Sequence, residues 1–283
     1  MFILFDIGGT KTRVGCARDD AHVGECLSFD TPTDPQDACA CIAQEAKRLL
    51  GHEQVRGIVG GVAAPLNKER TIVGNAPNLP AWRGYALQGE LEKRLHAPVR
   101  LENDAALAGL GEALFGAGKG YRIVMYMTVS TGVGGARIVE GKIDACAYGF
   151  EPGHQIIDID GSLCPACNSV EAEGLLSGTA TEIRFGKKAF DVKIERVWEE
   201  LSLWLAATLN NSIVHWSPDV VVLGGPMITG DPAIPVDRVR YHLERILTIY
   251  PELPALVPAT LTDTAALYGA LAYTQDTVRW THT

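Results

Sequence analysis

The stretch "MFILFDIGGTKTRVGCARDD", residues 1–20, sets out a plan that the chain repeats. An apolar strand leads into a Gly-Gly-Thr turn at residues 8–10, and a second strand returns, which is the pattern of a β-hairpin. Residues 121–142, "YRIVMYMTVSTGVGGARIVEGK", have the same order around a turn at residues 130–135. Two copies of one hairpin predict two related α/β lobes.

The two turns have the composition of a phosphate-binding surface. Glycine allows backbone N–H groups to approach a ligand closely, and successive N–H groups can converge on an anion. A strand follows each turn, so neither is a Walker or Rossmann loop, in which a helix follows. Ordinary tight hairpins have the same glycines and remain the alternative. The candidate phosphate contacts are Gly8, Gly9, Thr10, Thr131, Gly132 and Gly134.

Three further positions could complete a nucleotide site. Asp6 precedes the first turn and could hold Mg²⁺ through water, since Mg²⁺ keeps much of its hydration. Lys11 follows that turn and could reach a phosphate oxygen, although a solvated lysine at a strand end has the same pattern. The pair Gly224 and Gly225 ends a buried strand predicted at residues 220–223, where an adenine or ribose could lie against the backbone.

A carboxylate precedes a predicted helix at residues 105–115. Asp104 follows a short strand and occupies the N-cap position, which aspartate favours for structural reasons alone. The helix dipole keeps such a carboxylate ionised, and the carboxyl end of a strand is where α/β folds bind ligands. Asp104 is therefore a candidate base for a hydroxyl nucleophile, and the neighbouring Asn103 offers both a donor and an acceptor.

Composition excludes several classes of protein. The chain has 283 residues, of which 47% are apolar and 21% charged, and a net charge of -9. These values predict a folded protein whose main partner is neither nucleic acid nor an anionic membrane. The strand pattern from residue 2 onward is too short and too early for a signal peptide, which predicts a cytoplasmic protein. No apolar run approaches the roughly 20 residues of a membrane span. The seven cysteines are scattered and odd in number, which predicts reduced thiols.

Seven motifs, taken together and in order, resemble the ROK family of sugar kinases and repressors. They are "DIGGTKTR", "APNLPAW", "LENDAALAGLGEALFGAG", "STGVGGARIVEGK", "EPGH", "EAEGLLSGTA" and "VVLGGP". The resemblance implies the actin/hexokinase-like (ribonuclease H-like) α/β fold, with duplicated domains around a central cleft. It places the N-terminal lobe at residues 1–110 with a C-terminal helix at 264–283, and the C-terminal lobe at 111–263.

The resemblance also implies roles for individual residues. Asp104 matches the catalytic base of the family. Carboxylates, amides and imidazoles suit sugar hydroxyls, which both donate and accept hydrogen bonds. The positions that match sugar contacts, besides Asp104 itself, are Asn78, Asn103, Glu151, His154 and Glu173.

The cysteine motif departs from the family pattern. Family members carry a run of three cysteines that bind zinc together with the histidine matched by His154. Here only Cys164 falls on a family cysteine, Cys167 is displaced, and Glu171 stands where the last cysteine belongs. Three outcomes stay open: zinc on His154, Cys164, Cys167 and a fourth group such as Glu171; weak or no metal; or a metal-free loop.

The resemblance favours one activity. We expect ATP-dependent phosphorylation of a hexose, glucose or an N-acetyl amino sugar, at the 6-hydroxyl, with ATP and Mg²⁺ as cofactors and a homodimeric assembly. The alternative is a regulatory or catalytically weak sugar-binding member of the family. Repressors of the family carry an additional N-terminal DNA-binding segment, and the first strand here begins at residue 2, which disfavours a repressor.

Overall fold

The computed structural model describes residues 1–275, which form two compact units. The first unit comprises Met1–Leu114, Ala145–Gly149 and the described residues from Asp263 onward, and the second comprises Phe115–Asp144 and Phe150–Thr262. The predicted final helix is present over Ala265–Thr274. Its predicted continuation through residues 276–283 lies outside the described residues.

The first unit is a five-stranded mixed sheet with helices on its faces. The strand order is β3-β2-β1-β4-β5, with β1, β4 and β5 parallel and β2 and β3 antiparallel. Its elements in chain order are β1 Phe2–Ile7, β2 Lys11–Ala17, β3 Cys26–Asp30, α1 Pro35–Leu50, β4 Gly57–Val62, α2 Leu87–Leu95, β5 Val99–Asn103 and α3 Asp104–Phe115.

The parallel strands of the first unit end together, and this positions the candidate site. Ile7 of β1 is opposite Val62 of β4, and Val62 is opposite Asn103 of β5. Side chains at the carboxyl ends of these strands therefore share one edge of the sheet, where ligands bind in α/β folds. The strands are apolar and buried because both sheet faces are covered by helices.

The second unit has its own five-stranded sheet. Its elements are β6 Ile123–Val129, β7 Val133–Val139, β8 Lys142–Ile143, α4 Ala172–Leu176, α5 Gly178–Phe185, α6 Glu195–Trp216, β9 Val220–Gly224, α7 Pro226–Thr229, α8 Val236–Ile246 and β10 Ala255–Pro258. The strand order β8-β7-β6-β9-β10 repeats that of the first unit, with three strands in an antiparallel meander and two parallel additions. The predicted α/β class with a repeated hairpin plan is confirmed.

The last helix, α9 Ala265–Thr274, belongs to the first unit and packs on α3 through glycines. A Cβ at Gly269 would lie 1.8 Å from the carbonyl oxygen of Leu107, and one at Gly111 would lie 2.1 Å from that of Ala265. Only glycine allows the two helix backbones to approach so closely. The chain thus returns to its first sheet after completing the second.

The second hairpin turn is shorter than the sequence suggested. The turn occupies residues 130–132, and Gly134 and Gly135 lie within β7, paired with Thr128 and Met127 of β6. Gly135 is required by packing, because a Cβ there would lie 2.8 Å from Cγ of Pro152.

Within residues 1–275, no helix has the length and apolar character that crossing a bilayer requires.

Candidate active site

Two carboxylates lie against the same glycine at the carboxyl edge of the first sheet. Asp6 of β1 is directly opposite Gly61 of β4. A Cβ at Gly61 would lie 3.1 Å from Cα of Asp104 and 3.4 Å from Oδ1 of Asp6. The missing side chain at residue 61 therefore leaves the space in which the two carboxylates approach each other.

Burial raises the pKa of both carboxylates, and repulsion by Asp104 adds to the shift at Asp6. Burial, followed by the negative charge of Asp104, raises the pKa of Asp6 to about 7, although the charge of Arg13 opposes the shift. Burial also raises the pKa of Asp104 to about 6, against the opposing hydrogen bond from the backbone N–H of Ala105. Two carboxyl groups with pKa values near neutrality at one strand edge are typical of proton-transfer or cation-binding chemistry.

The Asp6 carboxylate has one oxygen available to a ligand. Its Oδ2 lies 3.6 Å from Nη1 of Arg13, whose Nη2 also lies 3.1 Å from the exposed Asp263. Its Oδ1 is buried and accepts no hydrogen bond from any residue between 1 and 275. Such an orphaned buried oxygen is costly unless a ligand or water occupies it. The donor chemistry therefore fits a hydrated Mg²⁺ ion, and binding of that ion by Asp6 stays a prediction.

The helix cap belongs to Asn103 instead of Asp104, which corrects the sequence assignment. Oδ1 of Asn103 accepts the backbone N–H of Ala106 at 3.1 Å, the usual N-cap contact. Asp104 is the first residue of α3, and its Oδ1 accepts the N–H of Ala105 at 2.8 Å. One Asp104 oxygen is thus fixed by the backbone, which leaves the second for a proton. The Nδ2 group of Asn103 lies 3.5 Å from the carbonyl of Ala64.

The first turn is held by a threonine from outside the hairpin. Thr31 donates its hydroxyl to the carbonyl of Gly8 at 2.8 Å, and its N–H donates to the carbonyl of Thr10 at 2.9 Å. A Cβ at Gly9 would lie 3.2 Å from Cβ of Asn78, so the exposed Asn78 stands beside the turn. These contacts fix the turn that was predicted to bind phosphate.

Lys11, which was predicted to reach a phosphate oxygen, forms an ion pair with Asp30. Its Nζ donates to Oδ1 of Asp30 at 2.6 Å, and the two side chains are 52% and 84% exposed. Exposed pairs of this kind contribute little to stability, so a phosphate could displace the carboxylate.

The second turn is held by the helices that follow it. Oε2 of Glu173 accepts the N–H of Val133 at 2.7 Å. The N–H of Gly178 donates to the carbonyl of Ser130 at 2.7 Å, and the hydroxyl of Thr179 donates to that of Thr131 at 2.8 Å. Glu173, predicted as a sugar contact, therefore also supports the candidate phosphate turn of its own unit.

The third glycine pair packs on the neighbouring strand. Gly225 has φ 85°, and a Cβ there would lie 2.3 Å from the carbonyl oxygen of Val129. A Cβ at Gly224 would lie 2.5 Å from the hydroxyl of Tyr126. Packing alone accounts for both glycines, so their contact with a nucleoside stays a prediction.

Glu151 precedes the 3-10 turn Pro152–His154, and His154 is the last residue of that turn. The N–H of His154 donates to the carbonyl of Glu151 at 3.1 Å, and both side chains are exposed. Partial burial lowers the pKa of His154, but the hydrogen bond to Glu171 and the charges of Glu173, Glu171 and Glu151 outweigh it and raise the pKa overall. The second unit thus places a histidine among three glutamates.

The predicted zinc ligands are not assembled. Cys164 and Cys167 are joined in a disulfide, so neither sulfur is a thiolate, the form that ligates zinc. Nδ1 of His154 faces Oε2 of Glu171 at 2.9 Å. No group of three metal-ligating side chains with suitable geometry occurs among residues 1–275. The site residues therefore do not fit a zinc ion, and the expectation of reduced thiols is wrong for these two cysteines.

Sequence reasoning missed four supporting residues. Gly61 had a usable signal, since a glycine inside a buried strand often marks a close approach. Arg13, Thr31 and Thr179 had none, because their partners are distant in sequence or are backbone carbonyls. Such contacts depend on the register of the sheets and on how the helices pack against them.

Comparison with known proteins identifies the family. The chain matches the sequence model of the ROK family over residues 3–277. It is 30% identical to the glucokinase of Streptomyces coelicolor, covering 94% of each chain, and 28% identical to the N-acetyl-D-glucosamine kinase of Citrobacter koseri, covering 95% of this chain and 98% of that one.

A solved structure with bound ligands has the same fold. The ROK family glucokinase of Streptomyces griseus, crystallised with glucose and AMPPNP, superposes with a TM-score of 0.80 at 26% identity, covering 96% of this chain and 98% of that one. Both units follow the actin/hexokinase-like fold of these relatives. The chain is a member of the ROK family.

Proposed function

We propose that this protein, an ATP-dependent sugar kinase, transfers the γ-phosphate of ATP to the 6-hydroxyl of a hexose, glucose or an N-acetyl amino sugar. The observation that carries the proposal is Asp104, a carboxylate with a pKa near 6, fixed through one oxygen at the start of α3. A general base works best when its pKa lies near the operating pH. The names of the relatives support the class of substrate and leave the individual sugar open.

The proposed reaction has a balanced course. The second oxygen of Asp104 accepts the proton of the sugar hydroxyl as the hydroxyl oxygen forms a bond to the γ-phosphorus. The bond between that phosphorus and the bridging oxygen breaks, and ADP leaves with the electron pair. Because the transition state is loose, the protein contributes mainly position and charge.

The remaining predicted residues fall into groups according to which part of the substrates each would bind. Asp6 would hold Mg²⁺ through water, and the ion, when bound, neutralises charge on the phosphates. Backbone N–H groups at Gly9, Thr10, Thr131 and Gly132, with Lys11, would hold phosphate oxygens. Gly8 would only line the turn, because its N–H already donates to the carbonyl of Lys11 at 3.0 Å. Gly134 would hold phosphate oxygens from within β7, and Gly224 and Gly225 would lie against the nucleoside. Asn78, Asn103, Glu151, His154 and Glu173 would bind sugar hydroxyls.

A sugar panel tests the proposal. ADP release from Mg-ATP is measured with hexoses, hexosamines, N-acyl amino sugars and 6-deoxyglucose. We expect release with at least one sugar that has a 6-hydroxyl, none with 6-deoxyglucose, and a 6-phosphate in the ³¹P NMR spectrum of the product.

Two results would contradict it. The regulatory alternative would be favoured if no sugar in the panel stimulated ADP release while calorimetry still showed sugar binding. Release with 6-deoxyglucose would move the acceptor to another hydroxyl. The expected homodimer is checked by light scattering on the same preparation, and cytoplasmic location stays a prediction.

A further inference from the structure

The loop that carries the displaced cysteines closes on itself without metal. The N–H groups of Ile157 and Asp158 donate to the carbonyl of Val170 at 3.0 and 3.2 Å. The buried carboxylate of Asp158 accepts the N–H groups of Ser162 and Leu163 at 3.1 and 2.9 Å. With the disulfide, these bonds satisfy the backbone of a compact loop, and a metal is not needed to close it.

Glu171 closes this loop directly beside His154. It pairs with Ile156 in an isolated antiparallel bridge, and the N–H of Ala172 donates to the carbonyl of Gln155 at 3.0 Å. Glu171 is also the N-cap residue of α4, yet its side chain makes no capping bond. Its carboxylate instead meets Nδ1 of His154 at 2.9 Å. The carboxylate of this N-cap residue is thus directed to the imidazole and not to the helix.

The other side of the histidine turn is fixed as well. Nε2 of Gln155 donates to the carbonyl of Pro152 at 2.8 Å and to the hydroxyl of Ser212 in α6 at 3.1 Å. A Cβ at Gly153 would lie 2.1 Å from the carbonyl oxygen of Val133, so the turn packs directly on β7. With the backbone held in this way, the ring orientation of His154 depends on the contact at Nδ1.

We infer that Glu171 is a positioning residue that takes the place of a metal ion on His154. This inference rests on the proposed function. The carboxylate accepts a hydrogen bond from Nδ1–H and so fixes the ring orientation and, in the neutral ring, the tautomer, which leaves Nε2 with a lone pair for a sugar hydroxyl. Since the His154 and Glu171 side chains are 45% and 42% exposed, the pair adds little to folding stability, and its effect lies in sugar binding.

Three variants test the role of Glu171. Glu171→Ala is expected to raise KM for the sugar about tenfold, with KM for ATP unchanged and Tm within about 2 °C of wild type. Glu171→Gln keeps an acceptor oxygen and should stay within about threefold of wild type. The matched control is Glu182→Ala, which removes a similarly exposed glutamate, 44% exposed and paired with Lys188, and should leave every constant unchanged.

A second measurement separates this inference from the proposed function. Long-range ¹H–¹⁵N NMR of the sugar-free protein, at a pH that leaves the ring neutral, should show the Nδ1–H tautomer of His154 in wild type and a mixture in Glu171→Ala. His154→Gln assigns the signal. This readout needs no catalytic activity, so it holds even if no sugar in the panel is phosphorylated.

Two results would overturn the inference. One is a Glu171→Ala variant with wild-type KM for the sugar and an unchanged His154 tautomer. The other is zinc near one equivalent in protein purified without chelator, together with a chelator-induced rise in sugar KM that matches Glu171→Ala. Wild-type kinetics that are insensitive to chelator and to added zinc are the expected result.

Discussion

The two hairpin turns have the same sequence plan and occupy the same place in two sheets of identical strand order, yet different elements support them. Thr31, after β3, holds the first turn by a hydroxyl and an N–H. Residues at the starts of α4 and α5, Glu173 and Thr179 among them, hold the second. The repeated sheet therefore determines where each turn lies. The residues that hold the turn in place differ between the units, because a different segment packs beside it in each.

The turns also differ in what stands next to them. The first adjoins the buried carboxylates Asp6 and Asp104, and the second adjoins Glu173 in a cluster with His154 and Glu171. Two buried carboxylates with raised pKa values suit proton transfer and cation binding. A partly exposed cluster of glutamates and a histidine suits hydroxyl recognition. We therefore propose that the first unit supplies the base and the cation site, and that the second unit contributes to binding of the sugar.

Removing the base is the strongest challenge to that assignment. Asp104→Asn should lower kcat about 10³-fold, because the asparagine cannot accept a proton from the sugar hydroxyl. The KM for the sugar should change much less. Steady-state kinetics and circular dichroism of the variant test this. A folded variant with near-wild-type kcat would show that Asp104 is not the general base.

Asp6→Asn should separate activity from stability. We expect kcat to fall about 10²-fold through the loss of cation binding. In the wild type without ligand, the raised pKa of Asp6 means that stability is lost as pH rises from the unfolded value near 3.8 through about 7. Asparagine has no carboxyl to ionise, so the Tm of the variant should exceed that of wild type by about 2–6 °C near pH 8.

The pH dependence of that difference is the control for Asp6→Asn. The gap in Tm should narrow toward pH 4 and close below the unfolded-state pKa of 3.8, where the carboxyl is protonated in both states. Thermal melts across the pH range measure it. A variant that is less stable than wild type at every pH would contradict the burial argument.

The pH dependence of kcat/KM in the wild type should report the ionisation of the carboxylates in the first unit. Because Asp104 must be ionised to act as a base and its pKa is about 6, kcat/KM should fall about tenfold for each pH unit below that value. In Asp104→Asn the residual activity should lose the contribution of Asp104 and keep only the limb of Asp6, whose carboxylate must be ionised to hold the cation. A profile that is flat down to about pH 4.5 would show that the carboxyl titrates at its ordinary value.

The smallest expected effects compare the two turns directly. Thr31→Val and Thr179→Val each remove one hydroxyl that donates to a turn carbonyl. One such bond is worth about 1 kcal/mol, so each variant should raise KM for ATP about fivefold or less. Thr31→Val should have the larger effect, since Thr179 is exposed and its turn has other supports. The reverse order would show that the second turn limits nucleotide binding.

Much of the fold followed from periodic patterns. The apolar runs and glycine turns predicted both hairpins, and the strand and helix around Asp104 were located to within a few residues. The errors have local causes. Gly134 and Gly135 suggested a longer turn but are strand residues, and Gly135 makes room for Pro152. Asn103 competes with Asp104 for the cap, and either residue type favours that position.

The sequence alone determined the order of the hairpins, the positions of the acidic and amide residues, and the family, because these depend on residue type and spacing along the chain. Only the tertiary structure decided that Gly61 brings Asp6 and Asp104 together, that the two loop cysteines pair with each other, and that Glu171 meets His154. Those contacts join residues from separate strands, turns and loops. Spacing along the chain does not fix their distances, whereas the register of the strands and the closure of the loop do.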